Sequence, residues 1–542
     1  MSGTDERWAS RIGLILAVAG NAVGLGNFLR FPAQAINNGG GAFIIPYLVS
    51  LVVMGIPLLW VEWSIGRHGG QYGYHSTPGL LQALGKAKIL KYFGIFGIFT
   101  NLVVAAYYCY IESWTLAYTF FSLFDVFNGM PKEEVINYFK SYLGSGSGFF
   151  NISPMAIFFF LITLGLNLWV LSRGISAGIE KAGKILMPML ILFGIFLAIR
   201  TLTIDKGEDG AIENAIAGLN FLWTPQFDSL ANPKVWLAAA GQVFFTLSVG
   251  MGSIHCYAAY LRKNDDIALN AVTAGFMNEF VEVVLGGSIV IPIAVAYLGL
   301  ASLSAFSGFG MSFMTLPVLF EKWDPFLSAL GGVTWFGLLF FAGITSSIAM
   351  GQPVMAFLQD SFKFTRKKST IAFGVAVFLL ALPTIILYDH GAFDEYDFWV
   401  GTFSLVVFAL VESVIFLWIF GIDKAWIEIN KGADIKIPIV FKYVLKYITP
   451  TFIIAVFVGS LIQPTGGEWS AAFSSLFSGG GWPLDPSSVL GSLLHLGETN
   501  PDKILVTDLT RLLLLSVFVV IGLFIRYAWK IKLNKEPKTE EA

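Results

Sequence analysis

Charge is scarce in this chain. Of its 542 residues only 13% are charged, while 56% are hydrophobic. Water-soluble domains carry about 25% charge, so the composition excludes a chain built to fold in water alone. The net charge of -2 and pI near 6.2 leave no basic excess to attract nucleic acid. Cysteine is nearly missing. Cys109 and Cys256 both sit inside apolar runs, which excludes a disulfide framework and reads as two small buried residues. Histidine numbers only five, none at metal-ligand spacing from a cysteine or another histidine. No nucleophile–base pair or phosphate-binding loop stands out either, and an enzyme is disfavoured on all three counts.

What is abundant is long apolar sequence. A membrane span needs roughly 20 mostly apolar residues. Twelve such segments occur, at 12–36, 42–66, 90–124, 154–172, 183–202, 235–261, 267–300, 332–358, 369–388, 398–421, 441–463 and 512–529. The third, seventh and eighth are long enough to tilt. The leading MSGTDERWASR runs into apolar sequence at Ile12 without a short core and small-residue cleavage site, so the first span is expected to be retained. Most basic residues fall on one side if the N-terminus is inside, in clusters at Lys86–Lys91, Arg262–Lys263, Arg366–Lys368 and Lys530–Lys538. Both termini are therefore expected in the cytoplasm, with the chain in the inner (plasma) membrane and surrounded by lipid. The outer connections include a Gly/Ser-rich stretch at 144–149 and a long one at 464–507. Segment 303–325, with Gly308, Gly310 and Pro317, is expected to dip back as a cap over the outer mouth.

Two spans break the rules of a continuous membrane helix. The first holds Gly20-Asn21-Ala22-Val23-Gly24-Leu25-Gly26-Asn27, the sixth Ser248-Val249-Gly250-Met251-Gly252-Ser253. Glycine weakens a helix by about 1 kcal/mol relative to alanine, and Asn and Ser compete for backbone hydrogen bonds. Val23-Gly24-Leu25-Gly26-Asn27 and Val249-Gly250-Met251-Gly252-Ser253 read as one motif written twice. Five spans apart, the copies run in opposite directions, the pattern of an inverted repeat with a midplane binding site. Glycines that merely permit close packing are the bland alternative. Matched breaks carrying side-chain oxygens favour a site, because unwound carbonyls hold a cation and half-helix N-termini hold an anion.

Glu62, Glu112, Glu279, Glu282 and Glu412 lie within the apolar spans, as do Asn278 and Thr345-Ser346-Ser347. Glu62, Glu112 and Glu412 read first as protonated or hydrogen-bonded structural carboxyls. Asn278 and Glu282, four residues apart, share a helix face. Oxygen-only coordination of this kind suits a hard cation.

The stretch WASRIGLILAVAGNAVGLGNFLRFP, Trp8 to Pro32, strongly resembles the first span of the neurotransmitter:sodium symporters, and of their bacterial leucine-transporter branch in particular. NGGGAFIIPY, YYCYIESW, GQVFFTLSVGMGS, FAGITSSIAMGQP and DEYDFWVGT extend the match to about residues 8–463 and the last span. The resemblance implies an all-α integral membrane protein of twelve transmembrane helices. These form a 5+5 inverted repeat of the leucine-transporter type with helices 1 and 6 unwound. Repeat one would cover about 10–202, repeat two about 235–421, and two additional helices 441–463 and 512–529, all one domain over 1–542.

It also implies a function: sodium-coupled symport of a hydrophobic or aromatic L-amino acid. Two Na+ ions would be carried. One would sit among the Ala22 carbonyl, Asn27, Thr246, Asn278 and the substrate carboxylate. The other would take carbonyls of Gly20, Val23 and Ala342 and the hydroxyls of Thr345 and Ser346. The carboxylate would meet Tyr108 and the N–H groups near Leu25 and Gly26. The amine would face carbonyls of Ala22, Phe245 and Thr246 and the Ser248 hydroxyl. The side chain would pack on Val104, Phe245, Met251, Ser346 and Met350, the two methionines adapting to several shapes. Amine-carrying relatives look to have Asp where this chain has Gly24, so a ligand bringing its own carboxylate is expected. Arg30 and Asp397 would gate the outside over the Tyr108–Phe245 lid. Trp8, Tyr260 and Asp360 would gate the inside, with Arg7 pairing with Asp360 because Asp5 replaces the usual arginine. Glu282 stands where chloride-dependent relatives look to carry Ser, which implies chloride independence.

Overall fold

In the computed structural model, which describes residues 7–146, 148–305 and 309–535, the described chain is a bundle of helices joined by short connections. Among the described residues ten helices are long and apolar enough to cross a bilayer, from Gly41–Gly70 to Pro501–Ile531. An eleventh crossing is the pair Arg11–Ala22 and Leu25–Asn37, bent by 48° at its break. The segment expected as the sixth span is split into Pro233–Leu247 and Ser253–Ala258, neither long enough alone.

Pro325–Phe362, 38 residues, and Ile95–Leu123, 29 residues, form the most heavily packed pair. At 1.5 Å per residue the longer spans about 57 Å, well beyond the ~30 Å hydrocarbon core, so it must tilt or protrude. Peripheral helices keep an apolar outer face. Ile185, Leu192 and Ile199, seven residues apart in turn, are 49%, 65% and 62% exposed, a stripe that lipid covers at no cost.

The interruptions have local causes. At the first, Val23 and Gly24 leave helical geometry, and the Asn27 side chain accepts the Gly24 N–H at 2.7 Å, capping the helix that restarts at Leu25. At the second, Ser248, Gly250 and Gly252 have φ of 53°, 73° and 93°. A Cβ on Gly250 would lie 2.1 Å from the Leu405 carbonyl oxygen, so conformation and space both require glycine there. The freed polar groups are satisfied by side chains. The Gly250 N–H donates to Glu62 at 2.5 Å, and the Met251 carbonyl accepts from Asn101 at 2.7 Å and Thr100 at 3.0 Å.

The connections are better anchored than their composition suggests. Around 144–149, Ser145 and the Gly146 N–H donate to Asp389 at 2.8 and 3.0 Å. In the 464–507 connection, two short helices (Trp469–Phe477 and Val489–Leu493) form, and Arg511 ties the second to Glu395 through the Ser492 carbonyl at 2.9 Å. Within 303–325, Gly308 and its neighbours lie outside the described residues. Phe313 stacks on Phe139 and Phe336 and meets Trp114 and Tyr118 edge-on, which fastens this segment to the bundle.

Gly250→Ala should lower thermal stability by more than the ~1–2 kcal/mol of a left-handed alanine, because the methyl also meets a carbonyl. Gly165→Ala, whose Cβ would meet nothing within 4 Å, should leave the melting temperature unchanged or higher. A melting series of both variants in detergent checks this.

Candidate functional site

The two breaks face each other and are stitched together. The Asn21 side chain donates to Ser253 at 3.0 Å, and the Ser248 hydroxyl donates to the Asn21 carbonyl at 3.1 Å. Around this junction the expected site residues separate into three groups.

The first group is amide and hydroxyl. Asn27 Nδ2 lies 3.0 Å from Thr246 Oγ1, 2.9 Å from Asn278 Oδ1 and 2.9 Å from Glu282 Oε2. Asn278 Nδ2 donates to Thr246 at 2.9 Å, and Gln242 donates to the other Glu282 oxygen at 2.8 Å. Thr246 also donates to Glu282. The four side chains of Asn27, Thr246, Asn278 and Glu282 therefore share one buried cluster, with Ala22 lining the cavity beside it. The Thr246 hydroxyl, the Asn278 amide oxygen and the Glu282 carboxylate bring oxygen donors of the kind a hard cation takes into one cluster, while the Asn27 oxygen stays on the Gly24 N–H.

The second group is mostly carbonyl. Ser346 Oγ lies 3.3 Å from the Gly20 oxygen, 3.2 Å from that of Val23 and 3.2 Å from that of Ala342. Thr345 Oγ1 lies 3.1 Å from the same Ala342 oxygen, and a Cβ on Gly20 would lie 3.1 Å from Thr345 Cβ. All five expected contributors converge. The Asn21 carbonyl, 3.2 Å from Ser346 Oγ, joins them and was not expected.

The third group is the remaining cavity wall. The Leu25 N–H donates to the Tyr108 hydroxyl at 2.9 Å. A Cβ on Gly24 would stand 2.6 Å from that hydroxyl oxygen and 3.0 Å from Ser346 Oγ, and one on Gly26 would stand 2.3 Å from the Phe245 ring. The backbone is thus flush against aromatic side chains, and only glycine permits the approach. Val104, Ser248, Met251 and Met350 line the same cavity, whose volume is about 20 Å³. That is water-sized, so an amino acid can enter only if the cavity wall opens. Tyr107, Gly401 and Leu405 also line it and were missed. The signal was available: Asp397, Gly401 and Leu405 recur every four residues on one helix face.

The expected gates take particular forms. The Arg30 guanidinium lies over the Phe245 ring, 4.4 Å from its centre. Asp397 is its leading electrostatic partner, yet the Asp397 carboxylate binds the Tyr107 hydroxyl at 2.8 Å. Among the described residues no ion pair joins Arg30 to Asp397. At the other end, Trp8 donates to the Tyr257 carbonyl at 3.0 Å. Asp360 accepts the His75 N–H at 2.7 Å and faces its Nδ1 at 3.3 Å, while the His75 ring stacks on Tyr260 with centres 4.6 Å apart. His75 was not expected; nothing local marks it. Arg7 is exposed and precedes the helix Arg11–Ala22, and Asp5 lies outside the described residues.

A bundle of membrane-length helices with paired breaks and oxygen-rich clusters between them is an architecture of membrane transporters. The model of the sodium:neurotransmitter symporter family matches residues 5–128 and 132–492, and the chain belongs to that family. A sodium-dependent transporter of Methanocaldococcus jannaschii is 34% identical over 467 residues, 83% of this chain and 89% of its own. The sodium-dependent nutrient amino acid transporter 1 of Drosophila melanogaster is 25% identical over 526 residues, 85% of this chain and 78% of its own. The crystal structure of MhsT in complex with L-phenylalanine superposes with a TM-score of 0.72 at 29% identity, covering 84% of this chain and 99% of that one. The family and these relatives are transporters, and the relatives' names tie them to sodium.

Tyr108→Phe removes the acceptor of the Leu25 N–H and, where the hydroxyl holds a substrate carboxylate as the resemblance implies, a donor to it. Hydrogen bonds to charged groups are worth about 1.5–3 kcal/mol, so substrate affinity should fall roughly 10–100-fold. Equilibrium binding of a labelled amino acid at saturating sodium measures it.

Proposed function

We propose that the chain is a sodium-coupled symporter of hydrophobic or aromatic L-amino acids, working by alternating access in the inner membrane with both termini cytoplasmic. The observation that supports it most is the meeting of both helix breaks with Ser346 and with the Asn27–Thr246–Asn278 cluster. In this reading the chain has twelve spans. The bent pair Arg11–Asn37 and the split segment Pro233–Ala258 serve as the unwound first and sixth spans of two inverted five-span repeats.

Two sodium ions are carried as cargo. One takes the Ala22 carbonyl, Asn27, Thr246 and Asn278, and the substrate carboxylate completes its shell. The other takes the carbonyls of Gly20, Val23 and Ala342 with Thr345 and Ser346. Leu25 and Gly26 N–H groups and Tyr108 hold the carboxylate. Gly24 leaves no protein carboxylate to replace it, which argues against simple amines as substrates. Each sodium moving inward gains about 2.3 kcal/mol per 100 mV before its concentration gradient counts, enough to drive accumulation. Arg30, Asp397 and the Phe245–Tyr108 lid close the outer path. Trp8, Tyr260 and Asp360 close the inner one, with Arg7 and His75 as partners for Asp360. The substrate leaves chemically unchanged.

Glu282 reaches Asn27, Thr246 and Gln242, so a fixed negative charge next to the first sodium stands in for chloride. Uptake of labelled leucine, methionine and phenylalanine into proteoliposomes should require sodium outside, fail with potassium, and ignore chloride. Uptake that ignores the cation would overturn the reading. Glu282→Ser should make uptake chloride-dependent; a chloride-blind Ser variant would remove Glu282 from this role.

A further inference from the structure

Glu62, His255 and Glu412 come from three different helices and meet at complete burial, each with 0% exposure. The imidazole lies between the carboxylates. Its Nδ1 is 3.4 Å from Glu62 Oε2 and its Nε2 is 3.3 Å from Glu412 Oε2. Glu62 Oε2, both ring nitrogens and both Glu412 oxygens make no hydrogen bond, an unusual concentration of unsatisfied buried polar atoms. The other Glu62 oxygen accepts the Gly250 N–H at 2.5 Å, on the break of the second interrupted helix. Phe408 closes one side, its ring centre 5.8 Å from that of the imidazole.

Charge counting says what the cluster lacks. Two carboxylates and a neutral imidazole would carry two negative charges in a dry interior, where each uncompensated charge costs several kcal/mol. Neutrality requires two more positive charges, from one divalent cation or from two protons. A cation takes only one nitrogen of an imidazole. Here each nitrogen faces a carboxylate oxygen from a different helix, at 3.4 and 3.3 Å, which is the arrangement of a proton chain.

We propose that Glu62, His255 and Glu412 form a buried proton-binding site that reports on, and stabilises, the break at Gly250. With two titratable protons bound, two neutral arrangements interconvert. In one, the Glu62 carboxyl O–H donates to Nδ1, and Nε2–H donates to the carbonyl oxygen of protonated Glu412. In the other, that Glu62 proton has moved to Nδ1, leaving a carboxylate beside an imidazolium; no proton enters or leaves in this step. The Gly250 N–H favours the second arrangement, because hydrogen bonds to an ionised acceptor are about twice as strong. Loss of either proton leaves a net buried charge and opposes the closed break. Water reaching the cluster during the cycle relieves that penalty, so closing takes up protons and rising pH opposes it.

Charged groups on the surrounding helices are otherwise occupied. Arg67 pairs with Glu428, Glu279 with Tyr47, Asp360 with His75, and Arg11 with Asp266 and Asp434. Cys256, next to His255 and buried, is the remaining titratable neighbour that senses Glu62.

The test is an infrared pH titration of the purified full-length protein, reading the carbonyl stretch of protonated carboxyl groups. Glu412→Gln should remove part of that band at neutral pH. His255→Leu should shift its titration midpoint by about one unit or more, as loss of a neighbouring titratable charge does. His255→Gln, which keeps a polar side chain of similar size but cannot bind a proton, should reproduce the shift if the leucine variant fails to fold. In proteoliposomes, sodium-driven uptake should fall with rising pH in the wild type, and the His255 variants should flatten that fall. A band unchanged by Glu412→Gln and His255→Gln would overturn the proposal. So would one divalent metal per chain by elemental analysis, released by the His255 change. The infrared arm stands whether or not the chain proves to transport amino acids, so failure of the sodium-symport reading is separately visible.

Discussion

A helix interrupted inside a membrane must find partners for the backbone groups it frees, and that requirement organises this molecule. No water is available at such depth, and each unsatisfied N–H or C=O costs several kcal/mol. The freed groups are met by polar side chains that would be wasteful in an apolar bundle. Asn27 caps Gly24, Tyr108 takes the Leu25 N–H, Glu62 takes Gly250, and Asn101 and Thr100 share the Met251 carbonyl.

The same obligations leave a surplus that can bind ligands. Ser346 has four carbonyl oxygens within 3.3 Å and can donate to only one at a time. A small hard cation satisfies such a ring better than a single hydroxyl proton does. Beside it the helix restarts at Leu25, whose N–H donates to Tyr108 at 2.9 Å, and its N-terminus brings a positive dipole end to the cavity wall at Gly24 and Gly26. In the proposed reading a cation and a carboxylate share one backbone break, and each then influences the other, since neither is filled without reshaping that segment.

Much of this could be read along the chain. The breaks were legible because GNAVGLGN and SVGMGS put glycine and side-chain oxygens where a membrane helix wants neither. Asn278 and Glu282 were paired by their spacing of four. The apolar runs located the membrane helices because lipid demands length and little else. What escaped depends on contacts between distant segments. His75 meets Asp360 across 285 positions, and no local pattern marks it. Gly401 and Leu405 line the cavity at steps of four from Asp397, a spacing that the sequence does show. Glu62 and Glu112 match their reading as hydrogen-bonded carboxyls, through the Gly250 N–H at 2.5 Å and through Asn167 at 3.1 and 3.3 Å, whereas Glu412 faces His255 at 3.3 Å without a hydrogen bond. The difference is made by His255, whose neighbours come from two other helices.

The central claim is that sodium and a carboxylate-bearing substrate share one site at the paired breaks. Thermodynamic reciprocity tests it directly: the substrate dissociation constant is measured across a sodium titration at constant ionic strength, and the sodium affinity with and without substrate. The account predicts that each ligand tightens the other by the same factor. A substrate affinity that stays constant when sodium is replaced by potassium would contradict it.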